Sequence, residues 1–77
     1  MSNQLIIVSI DDWEGVYYQG KLIDEEHKFR RFKLIELMKK YNTFNVVEVW
    51  LSSEGEEYIQ DRGCMPENYD DLIQFLV

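Results

Sequence analysis

Residues 5–10, LIIVSI, form a nearly unbroken, β-branched apolar run. Six residues are too few for a typical helix and suit a strand buried on both faces. Such a strand belongs in the middle of a sheet, so the rest of the chain is read as what surrounds it. The chain has 77 residues, one domain's worth. A domain this small buries only about 60% of the surface its unfolded chain exposes, so each large core side chain matters. A hydrophobic share of 45% and an aromatic share of 14% are enough for one compact core, despite a net charge of -7.

Residues 11–27, DDWEGVYYQGKLIDEEH, read as a β-hairpin turning at Gln19-Gly20. With Tyr18 opposite Lys21, Tyr17 faces Leu22 and Val16 faces Ile23. Period-two alternation places Trp13, Gly15 and Tyr17 on one face and Glu14, Val16 and Tyr18 on the other. Gly15 either lets a neighbouring ring lie over the backbone or marks a bulge.

The period changes over residues 28–41. Phe32, Leu34, Ile35, Leu37, Met38 and Tyr41 recur at three- and four-residue steps, an apolar helical stripe. Lys39 and Lys40 complement the helix dipole near its end, and Asn42 supplies a stop. Residues 44–51, FNVVEVWL, return to strand alternation, with Val47, Val49 and Leu51 on one face and Val46, Glu48 and Trp50 on the other. Ser53 and Glu56 form a capping box for a helix over 54–62 that stops at Gly63. Gly55 weakens its first turn by up to ~1 kcal/mol. Beyond Pro66, the spacing of Tyr69, Leu72, Ile73 and Leu76 predicts a last short helix. The expected architecture is therefore α+β: a small mixed sheet in the order β-β-β-α-β-α, with the helices packed on one sheet face.

Several chemistries lack their parts. One cysteine, Cys64, makes neither an internal disulfide nor a cysteine zinc site. The four glycines are scattered and form no phosphate-binding loop. The carboxylates lack the spacing and turn glycine of a calcium loop. No cofactor, metal site or membrane span is expected, and a cytoplasmic location is, because the first residues lack the basic start of a signal peptide and their apolar run is short.

Charge is unevenly placed along the chain. Residues 1–20 carry three acidic side chains and no basic one; residues 21–41 carry seven basic and four acidic; residues 42–77 carry eight acidic and one basic. Acidic side chains interleaved with Trp and Tyr suggest a protein-binding surface, since aromatics anchor complexes and opposed potentials steer encounter. The candidate surface comprises Asp11, Asp12, Trp13, Glu14, Tyr17, Tyr18, Glu25, Glu26, His27, Trp50, Glu56, Glu57, Asp70 and Asp71. Its expected partner is a basic protein, and one sharp version is a DNA mimic. Two other classes stay open: a small enzyme or accessory using His27 as a general base beside carboxylates, and nucleic-acid binding through Arg30, Arg31 and Lys33 in the segment 28–40. The net charge argues against the latter. Homodimerisation through an exposed edge or face is a further expectation.

The hairpin, with Asp12, Trp13, Glu14, Gly15, Tyr17, Gly20, Lys21, Leu22, Glu26 and His27, together with Pro66 and Glu67, resembles a group of short bacterial and phage proteins. Met65 and Tyr69 stand where leucines are expected, and RRFKLIELMKK is more basic. The resemblance implies no activity; it points to His27 and the hairpin aromatics as a shared surface.

Overall fold

The computed structural model describes residues 4–77. They form β1 (Gln4–Ser9), β2 (Glu14–Tyr18), β3 (Lys21–Glu26), α1 (Arg31–Lys40), β4 (Asn45–Trp50), α2 (Ser53–Arg62) and a 3-10 helix, Tyr69–Phe75. The sheet order is β3-β2-β1-β4, mixed because β4 runs parallel to β1 while the other pairs are antiparallel. The fold is α+β, and the elements follow the expected order.

Strand β1 is central, and it is buried from both sides. Leu5 and Ile7 pack with Val16, Phe29 and Leu37, against Leu34, Met38 and Tyr41 of the α1 segment. Val8 and Ile10 turn the other way, onto Tyr17, Leu51, Ile59, Met65 and Leu72. The helices thus do not share one face: α1 covers one side of the sheet, and α2 with the 3-10 helix covers the other. This corrects the expected layering. A strand with apolar residues on both faces, as at Leu5–Val8, needs a cover on each side, and two covers need helical segments on both.

Local readings hold with specific exceptions. The Gln19-Gly20 turn forms with both residues at positive φ, 51° and 83°, matching a primed two-residue hairpin turn. Tyr18 faces Lys21 and Tyr17 faces Leu22, but Val16 faces Asp24 rather than Ile23, because β3 bulges there. The bulge re-aims the rest of the strand. Glu25 now lies opposite Gly15, on the side of Trp13 and Met65. Gly15 itself gives room to Met65, whose Cγ would stand 2.8 Å from an added Cβ. It is a methionine that lies over the glycine, and the bulge is in the partner strand.

In α1 the buried stripe is narrower than the apolar pattern: Leu37 is buried, but Phe32 and Ile35 are exposed. Asn42 ends the segment at φ 52°. The cap of α2 is Ser52, one residue earlier than expected, with its Oγ accepting from Gly55 N at 3.3 Å. Gly63 closes that helix in the left-handed conformation. The final helix is 3-10 rather than α. Its threefold period stacks Tyr69, Leu72 and Phe75 on the core, while Ile73 is exposed.

Residues 67–77 act as a strap. At one side Leu22 N donates to Glu67 O and Tyr69 N to Gly20 O, holding the strap on β3. The 3-10 helix then crosses the sheet face. At the far side Ser52 N donates to Phe75 O and Val77 N to Trp50 O, at the end of β4.

Candidate functional site

The hairpin end gathers six of the candidate residues. Trp13 Nε1 donates to Glu25 Oε1 at 2.8 Å, and the same oxygen accepts from Met65 N at 3.0 Å. Glu25 therefore latches the hairpin to the loop after α2. The His27 ring meets the Trp13 ring edge-on at 4.9 Å, and its Nδ1 lies 3.1 Å from Asp12 O. Asp11, Asp12 and His27 are exposed, whereas Trp13, Glu25 and Glu26 are half-buried. Beside them a hollow of about 160 Å³ is lined by Ile10, Trp13, Ile59 and the exposed Cys64, among others.

Other candidates are taken up by the fold. Tyr17 is sealed in the core, its hydroxyl donating to Pro66 O at 2.5 Å. It does not belong to any surface, so its place in the candidate set is corrected. Burial, with Glu25 nearby as the second cause, pushes its phenol well above the ordinary range. Burial also raises that of Tyr69. Glu14 is half-buried: it accepts from Phe29 N at 2.8 Å and lies 3.4 Å from the buried Ser9 hydroxyl, so it anchors the lead-in to α1. The half-buried ring of Tyr18 packs on Tyr41 at 4.7 Å.

Trp50 alone among the candidate aromatics is largely exposed, at 52%. It lies opposite Ser9, on the α1 side of β4. Glu56, Glu57, Asp70 and Asp71 belong to α2 and the 3-10 helix, across the sheet from it. Glu57, Asp70 and Asp71 are exposed, and Glu56 is half-buried and bonded to Gln60. The anticipated acidic–aromatic surface therefore divides into carboxylates on one layer and an exposed indole on the other.

The division extends to the whole charge pattern. Residues 28–41, which include α1, carry six basic side chains and one acidic; residues 52–77, which include α2 and the strap, carry seven acidic and one basic. Since these segments cover opposite faces, a charge shift along the chain becomes a polarity across the molecule. The net charge conceals helical segments of opposite sign on the two faces, although Asp24 and Glu48 of the sheet also face α1.

Phe44, Ile35, Val46 and Val47 were not among the candidate site residues, yet all are exposed: Phe44 at 85% and Ile35 at 45%. Their sequence pattern is that of a core strand and a core helix face. The one local signal is Glu48, set among three valines and a tryptophan and exposed to solvent.

Among the described residues, no group of three or more His, Cys, Asp or Glu is placed to hold a metal ion, and no helix is long and apolar enough to cross a membrane. No family model, curated protein or solved structure matches the chain.

Proposed function

We propose that the protein is a non-enzymatic interaction module that binds a basic protein through its acidic layer, as an inhibitor or DNA mimic would. The observation that supports this is the collection of exposed Glu54, Glu57, Asp61, Asp70 and Asp71 on α2 and the 3-10 helix, with Asp11 and Asp12 exposed at the hairpin end. Carboxylates on rigid helical elements keep fixed spacings, so they can occupy sites built for phosphates. Their field steers a cationic partner and falls off within a Debye length of about 8 Å at physiological salt. The test is capture of basic proteins from the native host at low and high ionic strength, with Asp70→Lys/Asp71→Lys as the comparison. Binding that weakens with salt and is lost in the double variant supports the reading. Capture unaffected by either rejects it.

A second reading keeps one observation of its own. Arg30, Arg31, Lys39 and Lys40 are all exposed in the segment 28–41, which carries six basic side chains against one acidic. A mobility-shift assay with Arg30→Glu/Arg31→Glu separates this reading from the first. The enzymatic alternative centred on His27 predicts that His27→Gln abolishes turnover while the melting curve stays unchanged.

A further inference from the structure

The outer edge of β4 is open among the described residues, and its hydrogen-bonding groups can be assigned by parity. Leu51 N donates inward to Ser9 O, while Trp50 O and Ser52 N bond outward to Val77 N and Phe75 O. Backbone groups alternate sides along a strand. The N–H and C=O of Val46 and Glu48 therefore point away from β1, into solvent. The chain's own residues 75–77 already use this edge, pairing as a short antiparallel segment at its far end. They pair as far as Trp50, and no other described residue makes a backbone bond along this edge from Phe44 to Glu48.

The side chains around that stretch define what fits it. Val46, Glu48 and Trp50 project on the α1 side, as the partners of Leu5, Ile7 and Ser9. Helix α1 overhangs them only in part. Lys33 reaches Asp24 of β3 at 3.4 Å, so Ile35, about 200° further round the helix, lies on the flank toward β4. Val46 and Ile35 are thus exposed apolar side chains on the α1 side of the free backbone, and the exposed Phe44 immediately precedes the strand. Beyond Val46 on the same side stand one carboxylate, Glu48, and one half-exposed indole, Trp50.

We infer that this edge receives an extended strand of a partner protein with the pattern basic–x–apolar–x–apolar. The basic side chain stands opposite Glu48 and reaches diagonally over the Trp50 ring; the two apolar side chains cover Val46 and Phe44. Glu48 already accepts from the Ser9 hydroxyl at 3.4 Å. A cation would add a charge partner between this carboxylate and the indole face, since cross-strand diagonals are within reach of long side chains. The remaining affinity comes from main-chain hydrogen bonds of the β-addition type. A second copy of the chain fits less well. Two-fold antiparallel pairing of two β4 strands continues the sheet with both α1 helices on the same face, so it sets basic layer beside basic layer and brings two Glu48 carboxylates together.

The probe is a capped peptide of sequence Thr-Arg-Thr-Val-Thr-Val-Thr, titrated into the full chain and followed by amide chemical shifts and hydrogen exchange. The same peptide with Glu in place of Arg is the control. The expected result is saturable shifts at residues 44–50, slowed exchange at the Val46 and Glu48 amides, and about tenfold weaker binding of the Glu peptide. Val46→Pro removes only an outward donor and should abolish binding with an unchanged melting curve. Glu48→Lys, which needs no backbone change, should reverse the peptide preference. Asp70→Lys/Asp71→Lys should bind the peptide as before, so failure here is separable from failure of the acidic-layer reading. Absence of saturable shifts on β4, or shifts centred elsewhere, overturns the inference. So does a concentration-dependent dimer that Val46→Pro dissolves, which would assign the edge to a second copy.

Discussion

The two outer strands of the sheet meet solvent in different ways. Strand β3 carries Asp24, Glu25 and Glu26 in succession, bulges opposite Val16, and has Glu67–Tyr69 bonded along its free side, with Lys21 Nζ holding Asn68 Oδ1 at 2.6 Å. Charges, a bulge and a covering segment are the usual means of blunting an edge. Strand β4 reads NVVEVW, and among the described residues it is covered only where Phe75–Val77 meet its end. The same strap that closes one edge along its hairpin end leaves most of the other open. In a chain with little apolar surface to spare, an edge left uncovered beside exposed Phe44 and Trp50 is better explained by recognition than by packing.

The comparison makes an unequal prediction: the strap carries stability and the β4 edge does not. The largest loss is expected from Leu72→Ala, which empties a fully buried site beneath the strap and should cost about 2–5 kcal/mol in chemical denaturation. If the variant melts like the parent, the strap is dispensable and the contrast fails. Gly55→Ala comes next. Helix propensity favours it by up to ~1 kcal/mol, but the new Cβ would stand 2.6 Å from Phe75 Cβ and 2.9 Å from Leu51 Cβ. Both atoms are fixed close to backbone, so overpacking of about 1–3 kcal/mol should win and the melting temperature should fall.

Tyr17→Phe tests the buried tie from the sheet to Pro66, where the chain enters the strap, and does so with a pH signature. Leaving Pro66 O without its donor should cost about 1–3 kcal/mol at neutral pH. In the native protein the Tyr17 phenol is held neutral, its ionisation raised by burial. A group with a raised native pKa stabilises fully below its unfolded value, here about pH 10. That contribution is lost as pH rises toward the native value. The parent should therefore lose stability above about pH 10 more steeply than Tyr17→Phe does, measured as melting temperature against pH. Parallel alkaline limbs would show that other tyrosines govern the loss. The smallest effect is expected from Trp50→Ser on the open edge, within about ±0.5 kcal/mol. A drop of several kcal/mol would mean that the indole is a packing residue and would remove the basis for a docking edge.

Much of this organisation was legible in the residues. The unbroken apolar character of β1 marked it as central, and the Gln19-Gly20 turn, the Asn42 and Gly63 stops and the faces of β2 and β4 followed from alternation and backbone preference. What failed was tertiary. The β3 bulge depends on where Glu25 can meet both Trp13 and Met65, a meeting forty residues apart in sequence. Phe32 and Ile35 have core-like spacing, but a four-stranded sheet is too narrow to bury both flanks of α1. Tyr17 and Tyr18 are neighbours with identical chemistry on opposite faces, and which face is sealed depends on Met65, Leu72 and the Pro66 carbonyl covering Tyr17. At the candidate site, exposed carboxylates were readable as charge. Their separation from Trp50 was not, because it rests on which helix takes which face.

The parallel pairing of β1 with β4 has a kinetic consequence. Ser9 meets Glu14 across a short turn but meets Trp50 only after the intervening hairpin and helix are in place. Closing the long loop costs entropy before any of its contacts form, so the three-stranded meander should assemble early and the last strand dock late. For that interval one flank of β1 stays unsatisfied. Quenched-flow labelling should find amides of the hairpin occluded well before those of Leu5 and Val47, which bridge β1 and β4.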